Sequence, residues 1–186
     1  RFRDKTIGLH NFKKEMPHLD NIQKKGYVLE FGHLSRDKGT DTLLEVAKKM
    51  PNTEFVFIGY GPSVDKMKDI PNVKYLGFKT GEELYRIIAE AAISVCPSEW
   101  YENCPYSVME SVLLGTPVVG SKMGGIPELI EPGETGELFE AGNVEDLMKA
   151  IKKVLQTQDI LERYTKNCSQ VNYETTESYY IKLMKI

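Results

Sequence analysis

Two glutamates, Glu102 and Glu110, have the type and spacing in this sequence that most suggest chemistry. They are separated by seven residues and follow the apolar run Ile93–Cys96. We therefore expect Glu102 in a loop and Glu110 about one turn into the next helix. The start of a helix offers unpaired N–H groups and a partial positive charge that suit a phosphate. An ionised carboxylate accepts hydrogen bonds from neighbouring hydroxyls. The pair therefore predicts a site for a phosphorylated, hydroxyl-rich small molecule.

The segments around this pair alternate short apolar runs with helical patterns. The helix that follows Thr80 is predicted to begin with a capping box, because Glu83 stands three residues later. Repeated strand–helix units predict an α/β domain, with a Rossmann-like, doubly wound parallel sheet of about six strands. Ligands of such sheets bind beyond the carboxyl ends of the strands. The predicted strands are 27–31, 55–58, 73–76, 93–96, 117–120 and 137–139.

The glutamate pair and the glycine-containing segments that follow it, 115–119 and 124–128, carry a family resemblance. They resemble the retaining glycosyltransferases of the GT-B fold, glycosyltransferase family four (group 1), in their C-terminal donor-binding domain. The resemblance covers nearly the whole chain from Tyr27 onward. It implies that Glu102 contacts the sugar of a nucleotide sugar and that Glu110 contacts the ribose. It also implies that the residues between them line the phosphate and the sugar, namely Asn103, Cys104, Tyr106 and Ser107.

The loop after the first strand, from Gly32 to Gly39, is similar to the family pattern G-R-L-x-x-E-K-G. In that pattern the arginine and the lysine clamp the donor diphosphate, and Lys38 matches the lysine. His33 stands where the arginine is expected, and a neutral imidazole cannot make the bidentate contact of a guanidinium. His33 is therefore either a phosphate ligand or a loop-packing residue, with Arg36 as an alternative source of charge.

Two further turns match the family. Gly59-Tyr60-Gly61-Pro62 resembles the G-x-G-P turn, in which Gly61 lets the backbone approach the ligand. Phe78 follows the third strand, where the family contacts the base, and it either stacks or packs. The donor-binding set that the resemblance implies is Gly32, His33, Lys38, Gly61, Phe78, Glu102, Asn103, Cys104, Tyr106, Ser107 and Glu110.

The resemblance also implies a domain organisation. Residues 1–26, with His10 and Asn11, are expected to form an interdomain connection. Residues 27–172 are expected to form the nucleotide-sugar-binding domain. Residues 173–186 are expected to form a helix that crosses back to a missing N-terminal domain.

The implied reaction transfers a hexose from a nucleotide-diphosphate sugar to an acceptor hydroxyl, with retention of configuration. Glu102 and Lys38 are the predicted catalytic residues, and Lys38 would neutralise the leaving group. Neither a metal nor a cofactor is expected, since the nucleotide sugar is itself the substrate. The acceptor would be a glycan or a lipid-linked glycan. We expect the chain to bind its donor weakly and to be inactive without the N-terminal half.

Composition limits the remaining classes. The 186 residues are 41% hydrophobic and 27% charged, as in soluble globular domains. A net charge of -3 and the lack of a long basic run argue against nucleic acid as a partner. Three scattered cysteines without a CxxC pair indicate neither a disulfide framework nor a zinc site. We therefore expect a cytoplasmic protein, with any peripheral association at the inner membrane face belonging to the full-length enzyme.

Three other functions stay open. One is a sugar-nucleotide epimerase of related fold, and another is a non-catalytic nucleotide-sugar-binding module. A nicotinamide-dependent oxidoreductase is disfavoured, because a dinucleotide fingerprint needs glycine where Val64 stands. Cys104 as a nucleophile is also disfavoured, because no histidine lies close in sequence to activate it. The sequence names neither the sugar, nor the base, nor the acceptor.

Overall fold

The computed structural model describes residues 16–185, which form a six-stranded sheet covered by helices. The strand order is 3-2-1-4-5-6, and all neighbouring strands are parallel. This confirms the predicted doubly wound, Rossmann-like α/β fold. The strands are β1 Val28–His33, β2 Phe55–Tyr60, β3 Val73–Tyr75, β4 Ile93–Cys96, β5 Val118–Ser121 and β6 Gly136–Phe139.

Six α-helices connect or follow these strands. The fourth begins after Asn143, whose side chain accepts a hydrogen bond from the backbone N–H of Asp146 at 3.0 Å, as expected of an asparagine N-cap. Two short 3-10 turns, Val64–Met67 and Ile126–Glu128, complete the connections. The helices are α1 Thr40–Lys49, α2 Gly81–Glu90, α3 Tyr106–Leu113, α4 Val144–Leu155, α5 Gln158–Cys168 and α6 Thr176–Leu183.

The core lies on both faces of the sheet, because successive strand residues point in opposite directions. Val28 of β1 belongs to a cluster with Leu43 of α1 and Ile151 of α4. The next residue, Leu29, belongs to a separate cluster with Ile88 of α2. All five side chains named here are buried or nearly so. The central strand is therefore sandwiched between two helical layers, which explains why its apolar residues face both sides of the sheet.

Two local predictions need correction. Strand β1 does not stop before Gly32 but continues to His33, so His33 is a strand residue aligned with Tyr60 of β2. The capping box predicted for α2 is wrong, because Thr80 occupies the N-cap without a side-chain cap hydrogen bond. The Glu83 carboxylate accepts a hydrogen bond from Lys79 Nζ at 2.6 Å instead. A nearby ammonium is a stronger partner for a carboxylate than a backbone N–H group.

The segments at the two ends of the described chain differ in how they are held. Lys24 donates hydrogen bonds to the Gly115 carbonyl at 2.9 Å and to Thr116 Oγ1 at 2.8 Å, which ties the segment before β1 to the end of α3. Helix α6 has no buried residue. His10 and Asn11 lie outside the described residues, so the three-part division of the chain stays a prediction. Within residues 16–185 no helix combines the length and the apolar character that crossing a membrane requires.

Candidate functional site

A cavity of about 620 Å³ opens where the strand order reverses, between the carboxyl ends of β1 and β4. Its size lies within the usual range for small-molecule sites. Ends of parallel strands diverge at such a switch point, because the connections of the neighbouring strands turn to opposite faces of the sheet. The cavity thus lies at the place where this sheet order predicts a ligand.

Ten of the eleven predicted donor-binding residues line this cavity. They come from the end of β1, from the loops after β1, β3 and β4, and from the first turns of α3. The fold therefore brings together residues from Gly32 to Glu110, although their individual roles stay predictions. The ten are Gly32, His33, Lys38, Phe78, Glu102, Asn103, Cys104, Tyr106, Ser107 and Glu110.

Gly61 is the predicted residue that does not line the cavity; Gly59 and Tyr60 of the same turn do. A Cβ atom at position 61 would lie 2.1 Å from the Leu34 carbonyl oxygen, and the φ angle of 153° is one that other residues rarely adopt. The glycine is therefore required by the close approach of two backbone segments. The structure therefore explains Gly61 by contact within the protein, whereas the prediction explained it by the approach of the backbone to a ligand.

The two predicted catalytic residues meet across the cavity. Lys38 Nζ lies 2.6 Å from Glu102 Oε1, and both side chains are partly buried. Ser98 Oγ donates a second hydrogen bond to the same carboxylate oxygen at 3.1 Å. Ser98 is itself held by Ser121 of β5, whose hydroxyl donates to the Ser98 carbonyl at 2.6 Å. A lysine from one loop and a glutamate from another are thus held together by direct contact.

The backbone of Glu102 is held by the Gly124–Gly125 loop. The Gly125 N–H donates to the Glu102 carbonyl at 2.7 Å. A Cβ atom would lie 2.2 Å from that same carbonyl oxygen at position 124 and 1.9 Å from the Asn103 carbonyl oxygen at position 125. Both positions therefore require glycine, and the two sequence motifs that resembled the family form one structural unit.

Helix α3 presents its N-terminus to the cavity. It begins at Tyr106, and its N-cap residue, Pro105, makes no side-chain cap hydrogen bond. Tyr106, Ser107 and Glu110 of its first turns line the cavity wall. The partial positive charge of the helix end therefore lines the same cavity as Lys38, and both favour an anionic group.

Three aromatic rings form a row along one edge of the cavity. His33 contacts Tyr60 edge to face, with ring centroids 5.4 Å apart, and Tyr60 lies 5.9 Å from Phe78. Tyr60 is 61% exposed and Phe78 is 65% exposed. Tyr60 was not among the predicted site residues. The pairing of β1 with β2 places Tyr60 beside His33. The periodicity of the sequence does not specify which residues of two strands are paired.

Glu30 of β1 is a second residue that the sequence analysis missed. It lines the cavity although it is only 4% exposed. Burial raises the pKa of its carboxyl to about 8; the hydrogen bond from Thr40 opposes this increase, and the negative charge of Asp41 adds to it. The sequence signal that could have identified this site residue is a glutamate within the otherwise apolar run Tyr27–Phe31. Cys96, at the end of β4, also lines the cavity, and burial raises the pKa of its thiol to about 12.

Two alternatives for the chemistry of the site find no support in the geometry. Arg36 lines a separate cavity of about 460 Å³, together with Lys66 and Glu99, instead of replacing the arginine expected at position 33. Cys104 is 8% exposed, and its sulfur lies 3.8 Å from the Met109 sulfur. Among the residues that the structure describes, no group of three or more His, Cys, Asp or Glu side chains is arranged to hold a metal ion.

Comparison with known proteins identifies the family. The family model described as glycosyl transferases group 1 matches residues 11–171. The sulfoquinovosyl transferase SQD2 of Arabidopsis thaliana is 32% identical over 186 residues, covering 96% of this chain and 34% of that protein. The amylovoran biosynthesis glycosyltransferase AmsK of Erwinia amylovora is 30% identical over 166 residues, covering 81% of this chain and 41% of that protein. The chain therefore spans well under half the length of these relatives.

Solved structures share the fold. HepE from Anabaena in complex with UDP superposes with a TM-score of 0.76 at 22% identity, covering 86% of this chain and 48% of that one. Sucrose-phosphate synthase from Thermosynechococcus elongatus superposes with a TM-score of 0.78 at 22% identity, covering 89% of this chain and 45% of that one.

The sheet order, the flanking helices and the cavity at the switch point define a Rossmann-like domain of the kind found in GT-B glycosyltransferases. The chain belongs to the glycosyl transferases group 1 family.

Proposed function

We propose that this chain is the donor-binding domain of a retaining glycosyltransferase that moves a hexose from a nucleotide-diphosphate sugar to an acceptor hydroxyl. One observation carries the proposal: Lys38, Glu102 and Glu110 line a single cavity at the switch point of the sheet. HepE, a structural neighbour, has been solved with UDP and also with UDP-glucose. The cavity of this chain offers groups that suit such a ligand, namely a cation, a helix N-terminus and two carboxylates.

Each of these groups has a distinct role in the proposed complex. The donor diphosphate lies between the Lys38 ammonium and the N-terminus of α3, which together offset its charge. Glu102 accepts hydrogen bonds from sugar hydroxyls, and Glu110 accepts them from the ribose. The base lies toward the exposed Tyr60 and Phe78 rings, which offer faces for stacking. Lys38, paired with Glu102, contacts a phosphate oxygen of the donor as well.

The proposed transfer proceeds on one face of the sugar. The acceptor oxygen attacks the anomeric carbon on the side from which the diphosphate departs. The bond between that carbon and the phosphate oxygen breaks, its electron pair leaves with the diphosphate, and the acceptor proton passes to the departing phosphate oxygen. Lys38 and the α3 N-terminus stabilise the negative charge that develops there. We propose that no metal is required and that an N-terminal domain supplies the surface for a glycan or lipid-linked glycan acceptor.

Binding is the first test. Calorimetric titration of the 186-residue chain with UDP-glucose, GDP-mannose and ADP-glucose should detect one of the three, with Glu110→Gln weakening it. The matched control is Glu140→Gln, an exposed glutamate outside the cavity that pairs with Lys122. Failure of all three nucleotide sugars to bind contradicts the proposal.

Turnover is the second test. The chain alone should bind its donor without transferring sugar, and covalent addition of a GT-B N-terminal domain from a close homologue should give transfer. The anomeric configuration of the product, read by NMR, distinguishes retention from inversion. Rapid transfer by the isolated chain contradicts the half-enzyme proposal.

The two alternatives make different predictions in the same experiments. An epimerase converts the donor to its stereoisomer without any acceptor, which chromatography of the nucleotide sugar reveals. A non-catalytic binding module holds the donor and gives neither transfer nor epimerisation when the N-terminal domain is present.

A further inference from the structure

Glu30 lines the cavity and has a buried carboxylate oxygen without a hydrogen-bond partner among the described residues. Its Oε1 accepts a hydrogen bond from Thr40 Oγ1 at 2.7 Å. Its Oε2 is buried, and no residue within the described part of the chain gives it a hydrogen-bond partner. Buried polar atoms in proteins are almost always bonded, so an orphaned oxygen at a ligand cavity calls for an explanation.

The surroundings of Glu30 disfavour a carboxylate. Helix α1 contributes the Thr40 hydroxyl and the negative charge of Asp41, and the latter raises the pKa of Glu30 further. Strand β2 contributes the apolar Phe57 at the aligned position. Strand β4 contributes Cys96, whose thiol stays protonated because its own pKa is raised to about 12. None of these groups offers a positive charge.

Both lysines that line the cavity pair with other carboxylates, and Lys79 Nζ lies 2.6 Å from Glu83 Oε1. Lys38 lies in the loop between β1 and α1, and its ammonium pairs with Glu102 at 2.6 Å. An ionised Glu30 would add negative charge to a cavity that already holds Glu102 and Glu110. A diphosphate entering that cavity would be repelled by the added charge, whereas a neutral carboxylic acid offers it an O–H donor.

We propose that Glu30 binds the donor as a neutral carboxylic acid, with Oε2 donating a hydrogen bond to an oxygen of the bound nucleotide sugar. This inference rests on the donor-binding function proposed above and adds a residue to that site. Since Oε1 is occupied by the Thr40 hydroxyl, Oε2 is the oxygen that carries the proton. In this role Glu30 makes the cavity bind the nucleotide sugar more tightly when the Glu30 carboxyl group is protonated.

Proton uptake on binding is the measurable consequence. Burial and the charge of Asp41 raise the pKa of Glu30 to about 8, and a ligand that accepts the Oε2–H bond holds the proton more tightly. At pH 8.5, donor binding should therefore take up about half a proton or more, and affinity should fall about fourfold between pH 7 and pH 8.5.

The experiment is calorimetric titration of the 186-residue chain with the tightest binder among UDP-glucose, GDP-mannose and ADP-glucose. Titrations at pH 7 and pH 8.5, in buffers of different ionisation enthalpy, give the number of protons taken up. The esterified phosphates of these nucleotide sugars do not titrate in this range. Glu30→Gln keeps the shape and an N–H donor, so it should bind with similar affinity at pH 7 and take up no proton at pH 8.5.

A control variant tests the assignment of the proton. Glu137→Gln removes another buried carboxylate, bonded to Tyr164 Oη at 2.6 Å and located in β6 outside the cavity, and it should retain the uptake. Proton uptake by Glu30→Gln equal to that of the wild-type chain at pH 8.5 would assign the proton to another group and overturn the inference.

The outcomes separate this inference from the proposed function. If the wild-type chain binds none of the three nucleotide sugars, the donor-binding proposal fails and the Glu30 inference fails with it. If it binds one without proton uptake at pH 8.5, only the Glu30 inference fails. That wild-type measurement decides the question even if Glu30→Gln does not fold.

Discussion

Lys38 and Glu102 stand 64 positions apart in sequence and only 2.6 Å apart at their charged atoms. This ion pair holds both side chains at the cavity in which they are proposed to act. The same contact makes each residue dependent on the other, since removal of either leaves a partly buried charge without its main partner. Roles at this site are therefore best assigned by comparing substitutions that keep the charge with those that remove it.

Lys38→Ala should weaken donor binding about tenfold to a hundredfold, which corresponds to about 1.4 to 2.8 kcal/mol. It removes the cation that is proposed to hold the diphosphate. Glu102 keeps its hydrogen bond from Ser98. Lys38→Arg should lose less binding affinity, because the positive charge is kept while the shape of the hydrogen-bonding side chain changes. Calorimetric dissociation constants measure both effects.

The control for this pair is Lys122→Ala, which removes an exposed lysine paired with Glu140. Exposed ion pairs contribute little to the free energy of unfolding, and Lys122 lies outside the cavity. Neither donor binding nor stability should therefore change measurably. Equal donor affinity in the wild-type chain and in Lys38→Ala would contradict the proposed role of Lys38.

Glu30 also makes the stability of the chain depend on pH. Its pKa rises from 4.5 to about 8 on folding, mainly because of burial. Between these two values the native state holds a proton that the unfolded state has lost, so the free energy of unfolding should fall as pH rises from 4.5 to 8. Glu30→Gln should lack this part of the decline. Urea denaturation at several pH values within this window measures it, and parallel profiles for both proteins would contradict the assignment.

At the scale of elements, the site depends on how loops pack against each other. Gly125→Ala should weaken donor binding at least tenfold, because its Cβ would lie 1.9 Å from the Asn103 carbonyl oxygen and would displace the Glu102 loop. The matched control is Gly133→Ala, at a position with φ of 86° and no atom within 4 Å of the added Cβ. That control should cost about 1 kcal/mol of stability through backbone strain alone and leave binding unchanged.

The comparison between the two glycine variants is decisive. If both weaken donor binding equally at matched stability, the Gly124–Gly125 loop does not position Glu102. Binding is measured by calorimetry, and the stability of each variant by urea denaturation.

At the scale of the whole molecule, α6 is only loosely connected to the sheet domain. Deletion of residues 174–186 should change the free energy of unfolding by less than about 1 kcal/mol, because α6 has no buried residue. The deletion keeps Tyr173, whose hydroxyl donates to the Leu129 carbonyl at 2.9 Å. Urea denaturation measures the change.

Deletion from residue 158 onward provides the contrast. It removes α5, which buries Leu161, Tyr164 and Cys168, and should destabilise the chain by several kcal/mol. Comparable destabilisation by both deletions would mean that α6 belongs to the packed domain.

Much of the fold was predictable from the sequence, because the relevant signals are local. Apolar runs bounded by glycine and proline predicted six strands, and all six are present with boundaries shifted by at most two residues. Ten of the eleven predicted donor-binding residues line one cavity. Gly61 does not, since its glycine serves a backbone contact with Leu34. The Thr80 capping box failed because Lys79 offers Glu83 a stronger partner.

The sequence by itself determined the strand–helix alternation, the family and the identity of most cavity residues, because periodicity, turn residues and motif spacing are properties of neighbouring positions. Only the tertiary structure decided that Lys38 pairs with Glu102, that Tyr60 stands between His33 and Phe78, and that Glu30 is buried with an orphaned oxygen. These features depend on strand order, register and loop packing, which join segments tens of residues apart. Burial then sets whether a carboxyl carries a charge, and no local pattern of residues contains that information.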